Sequence, residues 1–237
     1  MSMDRFITRR TLCLLFILHI LYGTSWAWND QTHMAIAKAA GYRHWYYAAA
    51  PDVAKIKAGT IEERNHYFSN EKNAEISPKI VLEQADRYNN PNDHEGHLYG
   101  AIISSLKEYR IAKSTGKDGD YHMAYAVHYI GDLTQPLHNI PYDSFNKAHH
   151  SNNDNAIEGA MDKIEEIQKK MYEINIKPDH FEEDLAKEIA RIANVSRLLG
   201  LKLRAENRDM TTNEAIVQAG HSASLLKAVL KAIEKAD

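Results

Sequence analysis

Across most of the chain apolar residues return every three or four positions, the spacing that lines one side of an α-helix. The clearest run lies near the end, where Ile216, Ala219, Ala223, Leu226, Leu230 and Ile233 fall on one stripe. No stretch alternates apolar and polar residues between turn signals, as a half-buried strand would. The pattern predicts an all-α, multi-helix fold with helices over about 30–49, 76–88, 97–114, 120–133, 154–173, 180–200 and 212–235. The breaks are equally legible. Asn89-Asn90-Pro91-Asn92-Asp93 and Ser114-Thr115-Gly116-Lys117-Asp118-Gly119-Asp120 carry turn-forming residues, and Pro136 is expected to end the helix that bears His128 and Asp132. There is no internal repeat and no low-complexity tract.

The N-terminus breaks this pattern. Arg5, Arg9 and Arg10 precede an apolar run from Leu12 to Gly23, followed by Ser25-Trp26-Ala27, a small-x-small cleavage site. The run is too short to span a bilayer comfortably. Residues 1–27 therefore read as a signal peptide and residues 28–237 as one domain of a secreted or periplasmic protein. The only cysteine, Cys13, would leave with the leader, so rigidity must come from something other than disulfides, and a bound metal is one source. The 29 basic and 32 acidic side chains become 26 and 31 once Arg5, Arg9, Arg10 and Asp4 are removed, a balance of about five negative charges. Nothing in that balance suggests binding to duplex DNA through a basic face.

Candidate chemistry centres on His128-Tyr-Ile-Gly-Asp132-Leu-Thr-Gln-Pro-Leu-His138. Residues four apart on a helix project from the same side, so His128 and Asp132 can share an ion, and His150 with Asp154 repeats the spacing. His138 follows Asp132 across the Thr134-Gln135-Pro136 corner, where it can turn toward a second ion. A lone His-x-x-x-Asp pair is usually a surface hydrogen bond. Here the pairs sit among Ala124, Ala126, Val127, Ile130 and Leu137, where unpaired burial would be costly and metal coordination offsets the cost. Imidazole and carboxylate without thiolate suit catalytic zinc and leave manganese and iron open. No Gly-x-Ser-x-Gly nucleophile elbow is present.

With these residues in place, the segment from Trp28 to Asp154 resembles the superfamily of bacterial zinc-dependent phospholipases C and single-strand-specific zinc nucleases. Its members are α-helical, begin their mature chain with tryptophan and hold three zinc ions in a cleft. The matching positions are Trp28, His33, Asp52, His66, His128, Asp132, His138, His150 and Asp154. The resemblance implies that Asp52, His66 and His128 hold one zinc, and that Asp132 bridges it to another held by His33 and by the free amine and carbonyl of Trp28. His138, His150 and Asp154 would hold the third. An uncleaved precursor has an amide at Trp28, so that site would form only after export. The resemblance also implies phosphodiester hydrolysis by a metal-bound hydroxide, with Asp52 as ligand and catalytic group that orients or deprotonates the water.

Substrate is divided between phospholipid and single-stranded nucleic acid. The nuclease branch usually closes its last site with aspartate, as Asp154 does. The short His138-to-His150 interval lacks the Gly-Gly-Asn segment of the nucleases, and the Gly131-to-Pro136 corner fits the bacterial phospholipases at least as well, so a phospholipase C-like activity is favoured. The aromatic run Tyr42, Trp45, Tyr46, Tyr47, with Tyr67 and Phe68, can stack on a base, seat a lipid or fill the core. His149 competes with His150 as a ligand, but only His150 has an acid four residues on. His122 reads as structural or outlying, and His94 and His97 as solvated loop residues. A non-catalytic helical zinc-binding protein is the reading from another class.

Overall fold

The computed structural model describes residues 28–157 and 159–235, so the expected leader, residues 1–27, lies outside the described residues. The described residues form ten α-helices and no strand, as the apolar spacing predicts. In order they are α1 (Asp30–Ala39), α2 (Ala50–Ala58), α3 (Thr60–Glu63), α4 (Pro78–Ala85), α5 (Leu98–Ser114), α6 (Asp120–Asp132), α7 (Ser144–Asp154), α8 (Ile164–Lys169), α9 (Phe181–Glu206) and α10 (Thr212–Glu234). Short 3-10 turns at Trp45–Ala49, Pro136–Asn139, Ala160–Lys163 and Pro178–His180 link them.

Helices with a strong apolar stripe sit where expected. α5, α6 and α10 match to within a residue, and α10 starts from a capping box in which Thr211 and Glu214 satisfy each other's backbone N–H groups. Three expectations need correction. The helix expected over 30–49 stops at Ala39, because Gly41 takes a left-handed φ of 85° and redirects the chain into the Trp45–Ala49 turn and α2. The one expected over 154–173 is instead α7, which ends at Asp154, followed by a turn and the short α8. The helix carrying His128 ends at Asp132, within a residue of its expected bound, but Pro136 is not its stop: it opens the next 3-10 turn, capped by Gln135 Oε1 accepting from Leu137 N at 2.5 Å.

α6 runs through the middle of the molecule. From His128 to Asp132 every residue is buried, with α5, α1, α2 and α10 packed around it. Burial of Val127, Ile130, Leu226 and Val229 at this junction contributes roughly 1.5–3 kcal/mol per side chain. That packing fixes the helix end that carries the polar residues. Gly131 is essential to the approach of α1: a Cβ there would stand 2.4 Å from His33 Nδ1.

Candidate metal centre

Eight of the nine candidate residues present side chains to one polar cluster at the end of α6. His33 comes from α1, Asp52 from α2, His66 from the segment after α3, His128 and Asp132 from α6, His138 from the Pro136–Asn139 turn, and His150 and Asp154 from α7. Three groups are close enough to hold an ion: His33, His128 and Asp132; Asp52, His66 and His128; and His138, His150 and Asp154. His128 belongs to two of them. Asp132 ties the cluster together, with Oδ1 3.4 Å from His33 Nε2 and 3.6 Å from His138 Nδ1, and Oδ2 2.9 Å from His66 Nδ1 and 3.3 Å from His128 Nε2.

These spacings suit coordination. Ligand atoms about 2.1 Å from a tetrahedral zinc lie about 3.4 Å from one another. In the third group His138 Nε2 is 3.2 Å from His150 Nε2, which is 3.7 Å from Asp154 Oδ2. In the second, Asp52 Oδ1 lies 3.9 Å from His66 Nδ1 and 3.8 Å from His128 Nε2. Both His33 nitrogens, His138 Nδ1, Asp132 Oδ1 and Asp154 Oδ2 are buried without a hydrogen-bond partner, a costly state that a cation would relieve. The residues therefore fit a divalent metal.

The outer nitrogens of several rings are already engaged, which sets the nitrogen each would offer. His128 Nδ1 donates to the Ala48 carbonyl at 2.7 Å, leaving Nε2 inward. His150 Nδ1 donates to Asn146 Oδ1 at 2.7 Å. His66 turns Nε2 toward Glu62 Oε1 at 3.3 Å, an ion-pair distance without hydrogen-bond alignment, and Nδ1 toward the cluster. Glu62 also accepts from Tyr129 OH at 2.5 Å, and Gln135 Nε2 donates to Asp154 Oδ1 at 2.6 Å. Glu62, Asn146 and Gln135 are not among the site residues that the sequence predicts. Glu62 precedes His66, and Asn146 precedes His150, by the four-residue step that marks the ligand pairs, so that rule could have found them.

Charge in the cluster is redistributed by burial and proximity. Burial lowers the His33 pKa, helped by the charge of His128, and it drives His138 down to about 3, so both stay neutral. Burial alone would lower His128 too, but Asp132 and Asp52 outweigh it and raise His128 to about 9. Asp52 shows the converse balance: burial would raise it, and His128, His66 and Lys55 bring it to about 2. Burial raises Asp154 well above the usual carboxylate range.

Trp28 is fully buried at the start of α1, and the next residue, Asn29, donates its backbone N–H to the Asp154 carbonyl at 3.2 Å. His150 rather than His149 joins the third group; His149 turns away to Asp209 at 2.6 Å. His122 pairs with Glu108 at 2.9 Å, outside the cluster. His97 is a correction: it is fully buried, not solvated, held between Asp93 Oδ2 at 3.0 Å and Asn65 Oδ1 at 2.8 Å. Of the aromatic residues, Tyr42 and Phe68 are buried while Tyr46 and Tyr47 are exposed.

A cavity of about 140 Å³ adjoins the third group, lined by Glu63, Arg64, Tyr67, Leu137, His138, Ile140, Tyr142 and His150. Two larger clefts, about 510 and 500 Å³, lie elsewhere and include none of the clustered residues. The chain matches no protein-family model, no curated protein and no solved structure.

Proposed function

We propose that the chain is an exported, zinc-dependent phosphoric diester hydrolase, phospholipase C-like in activity, with single-strand nuclease action as the alternative. The observation that carries this reading is the linkage of three His/Asp groups through His128 and the two oxygens of Asp132. One group alone would serve a structural ion. Linked groups suit a phosphoryl centre, where attacking and leaving oxygens both need stabilisation.

In this reading Asp52, His66 and His128 would hold one zinc, His33, Asp132 and the Trp28 terminus a second, and His138, His150 and Asp154 the third. The ions would supply Lewis acidity and a more acidic bound water. The chain's own part is orientation. Ala48 and Asn146 fix the His128 and His150 rings. Asp52, ionised at neutral pH, can accept a hydrogen bond from the attacking water; its low pKa makes it a better orienting group than proton sink. The cavity beside His138 and His150 is sized for a small group attached to the phosphate.

The test is hydrolysis of bis-nitrophenyl phosphate by zinc-loaded protein, with Asp52→Asn and His128→Ala as variants. Both should abolish turnover, and unaltered turnover in both would overturn the proposal. Phosphatidylcholine assayed beside single-stranded RNA and DNA separates the two substrate classes.

A further inference from the structure

Five of the ten large apolar side chains that stand exposed among the described residues fall within positions 46–61: Tyr46, Tyr47, Val53, Ile56 and Ile61. Ile56 is 83% exposed and Val53 60%. Single exposed apolar residues are ordinary, whereas apolar residues grouped on a surface mark an interaction site, and these five lie on three successive elements, the Trp45–Ala49 turn, α2 and α3. α2 has two sides with different tasks. Asp52 turns inward to His66 and His128, while Val53 and Ile56, three residues apart, face solvent.

We propose that this outer face of α2, with Tyr46, Tyr47 and Ile61, docks on the surface of a zwitterionic phospholipid assembly. The proposal deepens the hydrolase reading and rests on it for why a lipid surface belongs beside the cluster. Three observations select the occupant. Aliphatic side chains flanked by tyrosines match the boundary between acyl chains and headgroups, where the amphipathic ring is favoured. The charges around the patch are mixed, with exposed Arg43 and Lys57 set against Asp118 and Asp120, which act electrostatically on Tyr47. That balance complements a headgroup carrying both phosphate and amine, and gives a nucleic-acid polyanion no net attraction. Asp52 is on the same helix, so docking would bring the Asp52, His66 and His128 group within about one helix diameter, roughly 10 Å, of the headgroup layer. No helix among the described residues is long and apolar enough to cross a membrane; the docking proposed is peripheral.

The experiment is co-sedimentation of the zinc-loaded protein, recovered from an exporting host, with sucrose-loaded phosphatidylcholine vesicles. The native protein should pellet with vesicles, and V53D/I56D should lower its apparent affinity at least tenfold while keeping zinc content and bis-nitrophenyl phosphate turnover. Ile56→Asn alone, a milder exposed change, should give a smaller loss in the same direction. Native protein that stays in the supernatant, or a double variant that binds equally, overturns the proposal. So does a loss confined to single-stranded oligonucleotide binding, or a dimer in gel filtration that the substitutions dissolve. Vesicle binding without diester turnover would leave docking standing and refute the hydrolase reading instead.

Discussion

Substituting alanine for Gly131 sets two effects of opposite sign against each other. In a helix interior, alanine is favoured over glycine by about 1 kcal/mol, so an unobstructed change would stabilise α6. Gly131 is obstructed. Its Cβ would lie 2.4 Å from His33 Nδ1 and 2.8 Å from His33 Cε1, where ordinary contact begins at 3.4 Å, so the ring must move by about 1.0 Å. His33 has little room to give, being buried and stacked on the His128 ring at 3.8 Å. Overpacking of this kind costs about 1–3 kcal/mol, which outweighs the propensity gain. The shift also exceeds the ~0.2 Å tolerance of a metal–ligand distance. Gly131→Ala should therefore lower Tm and reduce zinc content, read by thermal denaturation and by metal analysis. The double variant Gly131→Ala/His33→Ala removes the obstruction and should recover stability without recovering the metal. A Gly131→Ala protein with full zinc content and unchanged Tm would refute the reasoning, as would a double variant no more stable than the single one.

Two further outcomes follow from the same cluster. Glu62→Gln leaves the His66 ring without its carboxylate partner and should weaken zinc binding by about 10–100-fold while leaving His128 in place, measured by competition with a chelator; unchanged affinity would show that Glu62 does not act through His66. His128, raised to about 9, is protonated at neutral pH, whereas zinc takes only the neutral imidazole. Zinc uptake should thus release a proton near pH 7, and apparent affinity should climb with pH and level off above about 9; calorimetric heats at pH 7 that do not vary with buffer ionisation enthalpy would contradict this.

The ligand pairs are legible in the sequence because four-residue spacing is a local property of a helix. What holds them is not local. Glu62 meets Tyr129 across 67 positions, and Asn65 reaches His97 across 32, so a buried polar network built from these residues looks in sequence like ordinary solvated charge. α7 was hidden for a related reason. Its apolar content is limited to Phe145 and Ala148, so no stripe announces it, and it is set instead by the Asp143 side chain accepting from Asn146 N at 3.1 Å and by contacts of Asn146 and Asn153 with distant backbone. The polar character that concealed the helix is what lets His150 and Asp154 sit beside His138. α10, by contrast, buries an apolar stripe and could be placed from periodicity alone.

The charge of the cluster bears on the proposed substrate class. Asp52, Asp132 and Asp154 bring three carboxylates into a largely buried space, at a cost of several kcal/mol per unpaired ion. Without metal the protein compensates unevenly. A proton on His128 serves Asp52 and Asp132, while burial outweighs the Gln135 hydrogen bond at Asp154 and pushes it toward its neutral form. Six positive charges from three divalent ions would reverse this, leaving a net of about +3 in the cleft of a chain whose formal charge is −3. In the proposed hydrolase such a positive cleft in a negative protein would favour an anionic substrate over a neutral ester or amide. It also ties substrate capture to the ions, so chelation should abolish affinity for a non-hydrolysable phosphodiester together with turnover.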